Sequence, residues 1–540
     1  MIVIPALLTL LTAADFAKAV TADSLDSKYS CIGTFIFGRH NDRIAKPANY
    51  LTTLGSSEQF ESGGLFRERY FGLDVNGNKV NSDWKINGLN EDGVFIYGET
   101  YAQCPVSTVV EYSQMSFLQG LYPPTYAADN DSAIVETQDS HLANGTSVIS
   151  PLNGYQYVYM DTQSDSSDEY FRIKGDDLCP VSDKSIESVQ KGSKYQSLNQ
   201  SSFDFFQNLN SILPSKKFPN YKLNFDHSMD IYDFMNVNSI HDSNYAKIFN
   251  ESIITQVKSY ADQYQWMISY DDSNPKAGMT TGGRSILGAV YFYLNQTIHQ
   301  GSPFINYFTG SFNNMYQLGG LLNLDLIDDK FKTMPDYGCT YVFDLVKEST
   351  SGEISILFSF KNGTQANDEL TTYQIFNNSD SSNLISWEDF ESKAKELSIW
   401  QLEDWCNECQ SESPQCVQYS SLYSDAKAVG NETLSKISDD NYHVEKLTNA
   451  AAGGIGAGVT IGVILLLSLI AFALLKLGKN KKSMNNNNDI SMNEQQGARN
   501  LAGGNDHLEQ SEFEESVMSK EHSQYQSDFD ETEHHTEGMV

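Results

Sequence analysis

Basic side chains are scarce in this 540-residue sequence: 36 Lys and Arg stand against 70 Asp and Glu, a formal net charge of −34. Binding a phosphate backbone needs clustered Lys and Arg, so a nucleic-acid partner is excluded. Internal repeats of roughly 20 to 50 residues are also missing, which removes solenoids and propellers. Apolar residues are not lacking: 40% of the chain is hydrophobic and 12% aromatic, enough for a sizeable folded core.

Charge is absent altogether from Ala451 to Leu475. At about 1.5 Å per residue this stretch reaches roughly 37 Å, so it is expected to be a single transmembrane helix. Lys476, Lys479, Lys481 and Lys482 follow it and place that end in the cytosol. The run Ile2 to Ala14 is apolar but too short to span, and it precedes the small residues Ala17 and Ala19. Although it lacks a basic start, it reads as a signal peptide over residues 1–19. The expected order is therefore signal 1–19, ectodomain 20–425, stalk 426–450, membrane helix 451–475 and a disordered cytosolic tail 476–540. N-x-S/T acceptor sites begin at Asn130, Asn144, Asn199, Asn250, Asn295, Asn362, Asn377 and Asn431, all before the helix. The expected location is a secretory-pathway membrane, at the cell surface or alternatively the vacuole, with the lipid bilayer as a partner. The sequence names no cytosolic partner for the tail.

All seven cysteines also precede the helix, on the oxidising side, which predicts three disulfides and one leftover thiol. Cys406 and Cys409 form a C-x-x-C, but no second such pair or paired His completes a zinc site. A structural disulfide cluster with Cys416 is expected.

Hydrophobic spacing predicts strands at Gly33–Gly38, Phe95–Tyr97 and Phe304–Phe308. Helices are expected through Phe60, Phe66 and Tyr70, over Val109–Leu121, over Ile286–Leu294, and leading to Leu322. Such alternation implies an α/β fold with a central, mostly parallel sheet and helices on both faces. Residues of about 182–270, with helical spacing at Phe203, Phe206 and Leu209, read as a helical cap insertion.

The stretch FIFGRHNDRIAKP at Phe35 to Pro47 runs a strand end into Arg39, His40, Asn41, Asp42 and Arg43. Two guanidiniums flanking an imidazole can grip phosphate oxygens and hold phosphorus in line with a ring nitrogen. Here the sequence resembles the histidine acid phosphatases, including fungal acid phosphatases and phytases, whose hallmark is R-H-G-x-R-x-x-P-like. FLQGLYPP at Phe117 to Pro124, KGDDLCP at Lys174 to Pro180, GGRSILGAV at Gly282 to Val290 and WCNEC at Trp405 to Cys409 extend the resemblance. It covers roughly residues 30 to 420.

The resemblance implies a histidine phosphatase-like fold, no cofactor or metal, His40 as a nucleophile that becomes phosphohistidine, and Arg39 and Arg43 as phosphate ligands. Asn41 replaces the family's glycine, a residue used where the backbone needs a positive φ or a close approach to a ligand. Asn is well tolerated in the left-handed region, so the turn is expected to survive, with the Asn41 side chain able to crowd the phosphate. The family's His-Asp pair is replaced by Gly310 and Ser311, and the third phosphate-binding Arg is missing, since no Arg occurs between Tyr70 and Phe171. The expectation is a phosphate or phosphomonoester ligand with weak or absent turnover and a binding or sensing role. The alternatives are an active acid phosphatase using His40 with another recruited acid, and an adhesion glycoprotein sharing the fold alone.

Overall fold

The computed structural model describes residues 20–21, 25–124, 142–146, 148, 150–364, 369–378 and 382–420. The expected signal peptide, stalk, membrane helix and tail, with Asn130 and Asn431, lie outside them. Among the described residues no helix is long and apolar enough to cross a membrane.

The strands are β1 Val20–Thr21, β2 Tyr29–Arg39, β3 Thr100–Pro105, β4 Asp161–Gln163, β5 Ile305–Gly310, β6 Thr340–Glu348, β7 Ile354–Lys361, β8 Thr371–Thr372 and β9 Leu384–Ser386. They form one sheet in the order β1-β8-β7-β6-β2-β5-β3-β4, with β9 on β7. The principal helices are α1 Thr53–Phe71, α2 Thr108–Leu121, α3 Pro180–Gln190, α4 Ser193–Asn208, α5 Ser228–His241, α6 Glu251–Ser269, α7 Thr281–Gln300, α8 Phe312–Leu321, α9 Trp387–Leu397 and α10 Leu402–Cys409.

Strand β2 is the centre. Its β-branched and aromatic run is buried from Gly33 to Arg39 because a neighbour lies on each side. Alternation then sorts its side chains. Phe35 and Phe37 join Phe308, Tyr341 and Phe343 against α7, α8 and α9, while Ile36 joins Tyr307 and Val342 against α1 and α2. Helices α4, α5 and α6 build a third apolar cluster that includes Tyr316 of α8 and Met334.

Three expectations are corrected. The sheet is mixed rather than mostly parallel: β2–β5, β3–β5 and β3–β4 run parallel, whereas β2–β6, β6–β7, β7–β8, β7–β9 and β1–β8 run antiparallel. The short link from Glu348 to Ile354 permits only a hairpin, and it was not visible in the strand–helix alternation. Phe95–Tyr97 is not a strand; Gly93 at φ 66° and Gly98 at φ 95° bracket it, and the strand begins at Thr100.

The third correction concerns cysteine. Two disulfides form, Cys406–Cys416 and Cys179–Cys409, and Cys31, Cys104 and Cys339 stay as buried thiols. Register explains why. Cys31 faces Val346 while Gly38 faces Thr340, so Cys31 and Cys339 lie about eight strand positions apart, roughly 26 Å. Cys104 is level with Gly38 but two strands away, about 10 Å from it and further from Cys339. A disulfide needs Cα atoms within about 7 Å.

Candidate functional site

Arg39 ends β2 and pairs in parallel register with Gly310, the last residue of β5. The chain leaves both strands at the same edge, so His40 and Gly310 meet: the His40 amide donates to the Gly310 carbonyl at 3.1 Å. Ser311 caps α8, and Asp176 fixes that helix's first turn by accepting from Asn313 at 2.8 Å and Asn314 at 3.0 Å. The structure therefore brings together Arg39, His40, Arg43, Gly310 and Ser311. A side chain at Gly310 would meet the Phe37 ring at 2.9 Å.

His40 is only 8% exposed, with Arg39 and Arg43 both at 5%. Its Nδ1 lies 3.0 Å from the Asn41 carbonyl. A carbonyl can only accept, so Nδ1 carries the proton and Nε2 keeps its lone pair. Burial, then Arg39, and less strongly Arg43, push the imidazole pKa well below its ordinary value; the neutral ring is the resident form.

The two arginines are already engaged. Arg39 donates through Nη1 to the Pro335 carbonyl and lies over the Tyr337 ring at 4.3 Å and the Phe312 ring at 5.1 Å. Its Nε has no hydrogen-bond partner among the described residues. Arg43 donates through Nη2 to Asp233 of α5 at 2.5 Å and through Nη1 to the Ile44 carbonyl at 3.2 Å. Burial works to lower the Arg43 pKa, yet Asp233 and its other anionic neighbours outweigh that and raise it.

Asn41 is not among the positive-φ residues, so the turn does not need a left-handed residue there. Its amide donates to Ser113 Oγ at 3.0 Å, and its side-chain oxygen accepts from the Asp42 amide at 2.6 Å. The side chain is folded back on the motif and is fully buried.

Sequence reasoning missed Asp233, His241 and Tyr337. His241 Nε2 sits 2.7 Å from Asp42 Oδ2, and the Tyr337 ring lies 5.7 Å from that of His40. Asp233 and His241 come from helix α5, 190 and 199 residues away from their partners, with no local signal to mark them. Among the described residues no cluster of His, Cys, Asp or Glu is placed to hold a metal ion.

No protein-family model matches this chain, and no curated protein matches it. Among solved structures it is similar to the phytase from Citrobacter braakii, at 12% identity and TM-score 0.47, over 70% of this chain and 99% of that one. The Klebsiella sp. ASR1 phytase gives 10% identity and TM-score 0.47 over 69% and 96%. The Bifidobacterium longum multiple inositol polyphosphate phosphatase, complexed with inositol hexasulfate, gives 11% identity and TM-score 0.37 over 72% and 96%. These are likenesses of chain trace at low identity, and an activity does not travel with them.

Proposed function

We propose that this chain is a membrane-anchored glycoprotein of the histidine acid phosphatase type that binds a phosphate-bearing ligand and turns it over weakly or not at all. One observation carries the reading. A neutral His40 stands between Arg39 and Arg43 at the β2 edge, while Gly310 and Ser311 beside it offer no acid. Attack by Nε2 would form an N–P bond and break the P–O bond, and the leaving alkoxide would depart without a proton. A missing positioned acid costs about 10²- to 10⁴-fold in rate.

The test compares p-nitrophenyl phosphate, whose leaving group needs little protonation, with an alkyl phosphate, using full-length wild type and His40→Ala. Trace hydrolysis confined to the aryl ester is expected. Robust hydrolysis of the alkyl ester, abolished in His40→Ala, would promote the second reading, an active acid phosphatase. That reading is favoured by the His40 tautomer, which leaves Nε2 ready for attack.

The anchor at 451–475, the cleaved signal and the cell-surface location are proposals on the same footing. The acceptor asparagines support them: Asn144, Asn250, Asn362 and Asn377 are exposed, and Asn199 and Asn295 are half-buried on helices. Glycosidase treatment should lower the apparent mass, and protease added to intact cells should spare the tail. An unchanged mass, or loss of the tail alone, would overturn this topology.

A further inference from the structure

We propose that Asp233 is a built-in anion for this site: helix α5 places its own carboxylate where a ligand oxyanion would pair with Arg43, so phosphate binds only by displacing it. The inference rests on the phosphate-binding reading above and assigns its regulation. Arg43 is buried, whereas the Asp233 side chain is 22% exposed, so the carboxylate is the solvent-facing half of the pair. An arriving anion meets Asp233 before it meets the guanidinium.

The same helix makes a second tie to the motif. His241 Nε2 pairs with Asp42 Oδ2 at 2.7 Å, and Asp42 also accepts from Thr52 Oγ1 at 2.5 Å. Asp233 and His241 are eight residues apart, about two helical turns or roughly 12 Å, and grip consecutive residues of the loop. The polarity is crossed: a helix carboxylate on a loop cation, and a helix imidazole on a loop carboxylate. Two cations stand close by: Lys217 donates to the Lys46 carbonyl at 3.3 Å, and it lies within electrostatic reach of Asp233, Lys46 and Arg43. Once Asp233 swings out, Lys217 and Lys46 remain to attract an anion.

Carboxylate and phosphate both suit a guanidinium, and a tethered carboxylate competes at high effective concentration. Apparent affinity is then reduced by the fraction of molecules in which Arg43 is free. The full-length protein is titrated with orthophosphate by calorimetry at one pH, as wild type, Asp233→Asn and Asp230→Asn. Asp230 is exposed on the same helix, so its variant carries the same charge change. Asp233→Asn is expected to tighten phosphate at least about tenfold, with Asp230→Asn unchanged. Equal affinities in the two variants overturn the proposal.

If Asp233→Asn does not fold, hydrogen exchange on the wild type decides. Saturating phosphate should speed exchange in α5 and slow it at residues 39–43; no acceleration in α5, or no phosphate binding, overturns the proposal. Turnover separates the two readings. Tightening in Asp233→Asn together with robust alkyl phosphate hydrolysis keeps the built-in anion and removes the low-turnover reading. Low turnover without tightening does the reverse.

Discussion

His40 is kept neutral chiefly by burial, and Arg39 and Arg43 act in the same direction. Below its ordinary pKa of about 6.5 the unfolded chain takes up a proton that the native ring refuses. The stability that His40 contributes is therefore present above that pH and lost as pH falls toward the depressed native pKa. Wild type should lose stability between pH 7 and pH 5 more steeply than His40→Asn, by at most about 1.4 kcal/mol per pH unit for one proton. Urea denaturation across that range checks it, and parallel curves would mean that native His40 binds the proton. At this scale the motif itself was legible, because Arg39, His40 and Arg43 fall within one short segment of sequence. Their partners were not: Pro335, Tyr337, Asp233 and His241 arrive from remote segments.

Helices α1 and α2 cross where each offers a glycine. A Cβ on Gly63 would meet the Phe117 carbonyl at 2.0 Å, and one on Gly120 would meet the Phe60 carbonyl at 1.9 Å. Both obstacles are backbone, so neither can swing aside, and the contact holds α2 where Ser113 reaches the Asn41 amide. Gly120→Ala should cost about 1–3 kcal/mol or more by forcing the helices apart. The denaturant midpoint should drop accordingly; an unchanged midpoint would show that the helices can shift freely. Long periodic elements were readable: Val109–Leu121 was expected and Thr108–Leu121 is found. The hairpin β6–β7 was not, since its nearly all-buried strands carry no alternation to distinguish them from other apolar runs.

Across the whole molecule the cysteines give the sharpest test. Burial pushes the Cys104 and Cys339 thiols up to about 12, and raises Cys31 well above its ordinary value, so none should react in the native state. Denaturation without reductant, followed by alkylation and mass measurement, should reveal three thiols per chain. One thiol would restore the three-disulfide expectation. Sequence alone determined the elements with strong periodicity, the Arg39–Arg43 segment and the acidic balance, because each is a property of composition or near neighbours. Tertiary structure alone decided the strand directions, the disulfide partners and the occupation of Arg43 by Asp233. Those depend on which distant segments lie side by side, and no local spacing encodes a contact across 190 residues.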